Sequence, residues 1–409
     1  MNGPTFHREA VAQIDREQLL EFGLSGQWGN FLSRLFVTDI LKWFLGQTLK
    51  TILYPKVAFW KVRYASQNAR GAEAILSGLV IVPLDGLNRP VPDTLLGFQH
   101  GTVLEKRLAP STFDLSRPLD YLEVLIAAAY AMDGYTVVIA DYPGLGVDPG
   151  DHPYMNAKPL AVSVADLLVA VKNQICASSG FPNPRLFLTG YSEGGYATMA
   201  VARELQSNRK YAGPLRVLAA APLAGAYDLS GTMRELMLQK AAYGDGYYLP
   251  MTIRGLHACY GDAYGDGIFT GARALKPEYQ FLFDLVDGYH PVDEVQKYMP
   301  PVPREILAPA FIAQLENERS AACRALREND LYHWTPEMPM YLYHSPDDDR
   351  VPYANSRIAS ASFMRRKRMI PVVPTFSLPL PGSEHGKAAP VCFLTSSVWL
   401  KLFRKAAKN

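Results

Sequence analysis

The chain is short of net charge, of cysteine and of long apolar runs, and each shortage removes a class of function. Its 41 Lys and Arg against 39 Asp and Glu leave a formal net charge of +2, so no general field draws it to nucleic acid or to an anionic membrane. The densest basic run, Arg365-Arg366-Lys367-Arg368, is brief and reads as a solvated face. The four cysteines, Cys176, Cys259, Cys323 and Cys392, show no C-x-x-C spacing, which argues against zinc and thioredoxin-type chemistry. They read as buried free thiols, with Cys259 and Cys323 able to pair in an exported protein. Tyr-Gly-Asp occurs at 243, 260 and 264 without a twelve-residue calcium loop, so these copies read as turns.

The most apolar early segment, 31–47, is broken by Arg34, Asp39 and Lys42 and is too short to span a bilayer. It reads as an amphipathic helix packed on the body of the protein, part of an N-terminal helical extension over 1–55. The first twenty residues hold charges throughout and no apolar signal core. That start is expected of a cytoplasmic chain, or of an exported one whose leader has been removed.

What is present is an α/β rhythm. Residues 57–64 and 72–83, rich in branched and aromatic side chains around a turn-like stretch, predict an antiparallel strand pair. Nearly continuous apolar runs at 94–98, 136–140 and 186–188 suit strands buried on both faces of a parallel sheet. Helix-sized segments at 121–132 and 161–177 separate them, and a further strand is expected at 215–220. The order implies an α/β fold with a mainly parallel central sheet flanked by helices. The rhythm stops over 231–336, where helical stretches (232–240, 303–327) alternate with Gly-, Asp- and Tyr-rich loops. It resumes with strands at 340–343 and 374–378 and a closing helix over 391–405. A mostly helical cap inserted at 231–336 into one core, 56–230 plus 337–409, accounts for this pattern.

Within the core, Gly190-Tyr-Ser-Glu-Gly194 follows a predicted strand and precedes a helix of small residues. With 31 glycines in 409 residues, G-x-S-x-G arises by chance in about one such chain in ten, so context decides. Strand, sharp turn and helix are the setting of a nucleophile elbow, with Ser192 lifted above the carboxyl ends of the strands. A serine hydroxyl needs a base, itself oriented by an acid, in the order Ser, acid, His. Of eight histidines only His385 lies after the last predicted strand, in a loop before the closing helix. The acid falls among Asp347, Asp348 and Asp349, after the strand at 340–343, with Asp228 as a further candidate. An oxyanion needs backbone donors. Glu193 N–H, next to the nucleophile, fits one, and Thr102 N–H, in the loop Gln99-His-Gly-Thr102, fits the other. His100 then reads as a side chain that orients this loop.

Taken together, Gln99-His-Gly-Thr102, Asp141-Tyr-Pro-Gly-Leu-Gly146, Gly190-Tyr-Ser-Glu-Gly-Gly195, Asp348-Asp-Arg-Val-Pro352 and His385-Gly386 resemble the α/β-hydrolases. More narrowly, they resemble the secretory-lipase group of esterases and lipases, the group of fungal lipase A. The resemblance spans roughly 55–230 and 337–409. It implies an acid three residues before the Val of D-x-x-V-P, which selects Asp348, and a cap between the sixth and seventh strands. It implies a serine carboxylesterase or lipase with triad Ser192, Asp348 and His385, no cofactor and no metal, acting on a small-molecule ester or lipid. Members are often exported and disulfide-bonded, whereas this chain has few cysteines. A serine peptidase or amidase, and a non-catalytic binding protein on the same scaffold, are the rival readings.

Overall fold

Nine strands form in the computed structural model, which describes residues 6–24, 53–261, 267–366, 372–376 and 384–406. They are β1 (His7–Asp15), β2 (Lys56–Gln67), β3 (Glu73–Leu84), β4 (Thr94–Gln99), β5 (Thr136–Ala140), β6 (Arg185–Tyr191), β7 (Val217–Leu223), β8 (Met340–Tyr343) and β9 (Val372–Phe376). They make one sheet in the order β1-β2-β3-β5-β4-β6-β7-β8-β9. From β5 across to β9 every pairing is parallel, while β1, β2 and β3 join antiparallel at the other edge.

The main helices are α1 (Arg16–Leu24), α2 (Leu122–Met132), α3 (Ala157–Val171), α4 (Glu193–Ser207), α5 (Tyr248–Tyr260), α6 (Pro309–Glu316), α7 (Ala321–Glu328), α8 (Ala354–Arg366) and α9 (His385–Ala406). Two apolar layers cover the sheet, because successive strand side chains point to opposite faces. Leu95, Leu186 and Leu188 pack with residues of α3 and α4 on one face. Leu96, Phe98 and Phe187 pack with α2 and α9 on the other. The helical run Ala157–Ser179 has the length and apolarity to cross a bilayer, but most of it is buried inside the fold.

The structure corrects or places several sequence expectations. Where an N-terminal helical extension was expected, the described residues form the strand β1 and then the helix α1; the expected amphipathic helix at 31–47 lies outside the described residues. Exposure explains the difference, since β1 is an edge strand held by its ladder to β2 and shows water most of its side chains, so it carries no apolar alternation to read. The closing helix begins at His385 rather than 391, which puts His385 in its first turn. Between β7 and β8 the described residues form short helices joined by turns, and 303–327 divides into a short 3-10 turn, α6 and α7. All four cysteines are free thiols, Cys259 and Cys323 included.

The sheet positions its central turn by close backbone contact. A Cβ at Gly194 would overlap the carbonyl of Gln99 at the end of β4, and one at Gly195 the carbonyl of Leu223 at the end of β7. Gly194→Ala should therefore destabilise the fold by about 3 kcal/mol. Gly213→Ala, at φ −77° with nothing within 4 Å, should be neutral or stabilise by up to about 1 kcal/mol. Urea unfolding of the two variants checks the contrast.

Candidate active site

Ser192 sits between β6 and α4 with φ 62° and ψ −122°, a left-handed conformation that costs a non-glycine residue about 1–3 kcal/mol. Its N–H donates to Leu223 O (3.0 Å) and its carbonyl accepts from Tyr196 N (3.0 Å), so both sides of the strained residue are tied down. A serine before a helix usually spends its hydroxyl on capping. Ser192 makes no such bond, and its hydroxyl is left at the half-buried floor of a cleft.

His385 lines the same cleft. Its Nδ1 lies 2.6 Å from Asp348 Oδ2. The backbone around it is fixed as well, with His385 N donating to Asp349 Oδ1 (2.9 Å) and Tyr191 O–H donating to His385 O (2.7 Å). Among the three adjacent aspartates, then, Asp348 reaches the imidazole and Asp349 the main chain. Asp347 lies aside, its N–H donating to Ser345 Oγ. Asp228 caps the turn that follows it, accepting from Gly231 N and Thr232 N.

Asp348 has a second histidine that the sequence reading missed. His344, fully buried at the end of β8, places Nε2 3.1 Å from Asp348 Oδ2 and 2.9 Å from Val351 O, and Nδ1 2.8 Å from Ser356 Oγ. The other carboxylate oxygen accepts from Arg350 N (2.9 Å) and Val351 N (2.8 Å). Burial pushes this carboxyl up, but the bonds from His344 and His385 outweigh it and hold Asp348 well below the ordinary carboxylate range. The readable signal was a histidine four residues before the chosen acid.

The Gln99–Thr102 loop abuts the elbow, because Gly190 and Gly194 let their backbones press on Gln99 O. His100 is buried, its ring stacked on Tyr142 at 4.2 Å and its Nδ1 2.8 Å from Gly101 O, while Tyr142 O–H donates to His100 O (3.1 Å). It is thus bound into the loop. Thr102 lines the cleft, and its N–H meets no acceptor among the described residues. Glu193, as the first residue of α4, has an N–H without an intrahelical carbonyl. Its side chain, given no role from sequence, reaches His152 Nε2 at 2.8 Å. Glu123, also unforeseen, accepts from Gly101 N at 2.6 Å.

Two lobes meet at Ser192, Tyr248 and Arg350. One, about 740 Å³ including space at its mouth, is lined by Leu229, Met233, Leu236, Met237 and Leu249. The other is wider and more polar, about 1580 Å³ counting open solvent, and holds Thr102, Glu123 and His385. Arg350, in the acid loop, pairs with Asp245 of the first Tyr-Gly-Asp at 2.7 Å and ties the helical insertion to the core there.

Residues 114–242 match the secretory lipase family. That segment includes the elbow and ends before Asp348. No curated protein matches the chain by sequence. Among solved structures, a protein of Legionella pneumophila described as a hydrolase aligns at TM-score 0.78 with 26% identity over 97% of both chains. The rice cell wall degrading esterase LipA of Xanthomonas oryzae aligns at TM-score 0.73 with 20% identity, over 98% of this chain and 96% of that one. Candida antarctica lipase A aligns at TM-score 0.59 with 18% identity, over 80% of this chain and 73% of its own.

The Asp348 geometry makes a pH prediction. A carboxyl depressed in the folded state contributes stability above its unfolded pKa, and that contribution is lost as pH falls toward the folded value. The unfolding free energy should therefore drop below about pH 4, and less steeply in Asp348→Asn, as urea titrations across pH would show. His344→Ala, which removes one donor from a buried carboxylate, should cost about 1–3 kcal/mol at neutral pH. The chain therefore has the α/β-hydrolase fold and, over residues 114–242, resembles the secretory lipases.

Proposed function

We propose that the chain is a serine carboxylesterase or lipase that works through an acyl-enzyme on Ser192. The observation that carries this reading is the pair His385 Nδ1 to Asp348 Oδ2 at 2.6 Å, in a cleft lined by a serine on a strained turn whose hydroxyl makes no helix-capping bond. With Nδ1 donating to Asp348, His385 presents Nε2 as the acceptor. It takes the Ser192 proton as Oγ attacks the ester carbonyl, and Asp348 steadies the imidazolium that forms. The N–H groups of Glu193 and Thr102 receive the oxyanion. Collapse expels the alcohol, protonated by His385, and water activated by the same imidazole releases the acid.

The helical insertion at 231–336 acts as a cap over this chemistry. Its apolar lobe suits the acyl chain, since Leu236, Met237 and Leu249 line it with apolar side chains. The wider lobe suits the alcohol, which must leave. No feature of the site favours an amide over an ester, and so the peptidase reading gains nothing from it.

Intact-mass analysis after a fluorophosphonate probe should find one adduct, on Ser192, and none in Ser192→Ala. Ester hydrolysis by Ser192→Ala should fall about 10⁶-fold; retained activity there would sink the assignment. A panel of p-nitrophenyl esters should outpace aminoacyl anilides. Leu236→Trp should shift the preferred acyl chain shorter by narrowing the apolar lobe, and an unchanged chain-length profile would move the acyl group to the other lobe.

A further inference from the structure

Glu123 is a carboxyl group in the cleft that the ester-cleaving steps above leave without a task. It stands in the first turn of α2, lines the wide lobe with Ser192 and His385, and accepts from Gly101 N at 2.6 Å. Its two oxygens lie so close to Gly101 that a Cβ there would be 3.3 Å and 3.6 Å from them. The neighbouring groups of the turn are committed elsewhere. His100 O accepts from Tyr142, Gly101 O faces His100 Nδ1, and Thr102 Oγ1 is 3.3 Å from Tyr154 Oη. The N–H of Thr102 is the donor left over.

We propose that Glu123 is a positioning residue for ester cleavage: by holding Gly101 N–H it sets the His100–Thr102 turn so that Thr102 N–H is free to receive the oxyanion, and its protonated form supports turnover better than its carboxylate. This rests on the serine-hydrolase reading of the site. The second half follows from charge. An oxyanion forming beside a carboxylate is disfavoured, and among the described residues lining the lobe no unpaired cation offsets Glu123. Across the cleft, Arg350 is paired with Asp245 and His385 with Asp348. From α4 comes Glu193, a second carboxyl, with one oxygen on His152 and the other buried without a partner among the described residues. His100 in the turn is held by Gly101 O and Asp141 O. Before α2, Asp120 adds another acid, and the other titratable groups facing the lobe are tyrosines 121, 191, 247 and 248. Burial, opposed by the Gly101 bond and reinforced by Glu193, pushes the Glu123 carboxyl up to about 7, so the change falls within the working pH range of an imidazole base.

Steady-state kinetics of Glu123→Gln and Glu123→Ala on a p-nitrophenyl ester test this. Gln keeps the acceptor for Gly101 N–H without the charge. At pH 6 it should turn over within about threefold of the native enzyme, whereas Ala should lose about 10- to 100-fold in kcat with KM little changed, since the lost interaction belongs to the transition state. The native kcat should decline above about pH 7, and Glu123→Gln should lack that decline. The proposal is overturned if Ala matches native kcat, if Gln is as slow as Ala, or if the alkaline decline persists in Gln. Should Glu123→Ala not fold, the Gln profile decides alone. Fluorophosphonate labelling of the native protein separates the two readings: no adduct on Ser192 defeats the serine mechanism, while labelling with kinetics indifferent to Glu123 defeats this inference only.

Discussion

Everything at the site hangs on three backbones that touch with no side chain between them. β6 runs between β4 and β7, and its exit turn presses against the carbonyl of Gln99 on one side and of Leu223 on the other. Only glycine at 190, 194 and 195 permits this approach. The contact has two results at once. It forces Ser192 into a left-handed conformation, held by its bonds to Leu223 O and Tyr196 N, and it brings the Gln99–Thr102 loop against the first turn of α4. Ser192 and the N–H of Glu193 are therefore fixed by main-chain packing, which changes little when side chains on the surface vary.

The remaining parts arrive by longer routes and are fixed by buried polar bonds instead. Asp348 comes from the loop after β8 and His385 from the first turn of α9, and each is held by more than the bond between them. Four donors converge on Asp348, and His385 is anchored at its N–H by Asp349 and at its carbonyl by Tyr191. A buried carboxylate needs such company, because an unpaired one would take up a proton and cease to orient the imidazole. His152 does comparable work on the other flank, linking Pro143 O of the Asp141–Gly146 loop to Glu193 of the elbow helix.

Legibility in the sequence follows this division. Glycines at 190, 194 and 195, apolar strand runs and a histidine after the last strand carry local signatures, so the sheet, Ser192 and the Asp348–His385 candidates could be read from short windows. Asp348 could be chosen among three neighbours only through the D-x-x-V-P resemblance, since adjacent side chains give no pattern of their own. His344 and Glu123 escaped notice for a different reason. Each takes its meaning from a contact: His344 from a carboxylate folded back over it, Glu123 from the main chain of Gly101, twenty-two residues away in sequence. β1 escaped because an exposed edge strand needs no alternating pattern, only a ladder partner. His385 was placed in a loop because Pro390 interrupts its helix, and proline normally marks a helix start.

The two lobes bear on what such a site discriminates. Apolar walls distinguish acyl chains weakly, at about 1–3 kcal/mol per methylene misfit, whereas a polar group left unpaired is rejected more strongly. The narrow lobe offers methionines and leucines, and methionine adapts its shape, so it favours a range of chain lengths over one. The wide lobe carries Glu123, His385 and Arg350, polar groups that favour a polar alcohol over a bare alkyl one. Under the proposed function, selectivity is therefore expected on the alcohol side of the ester, the side that Glu123 faces.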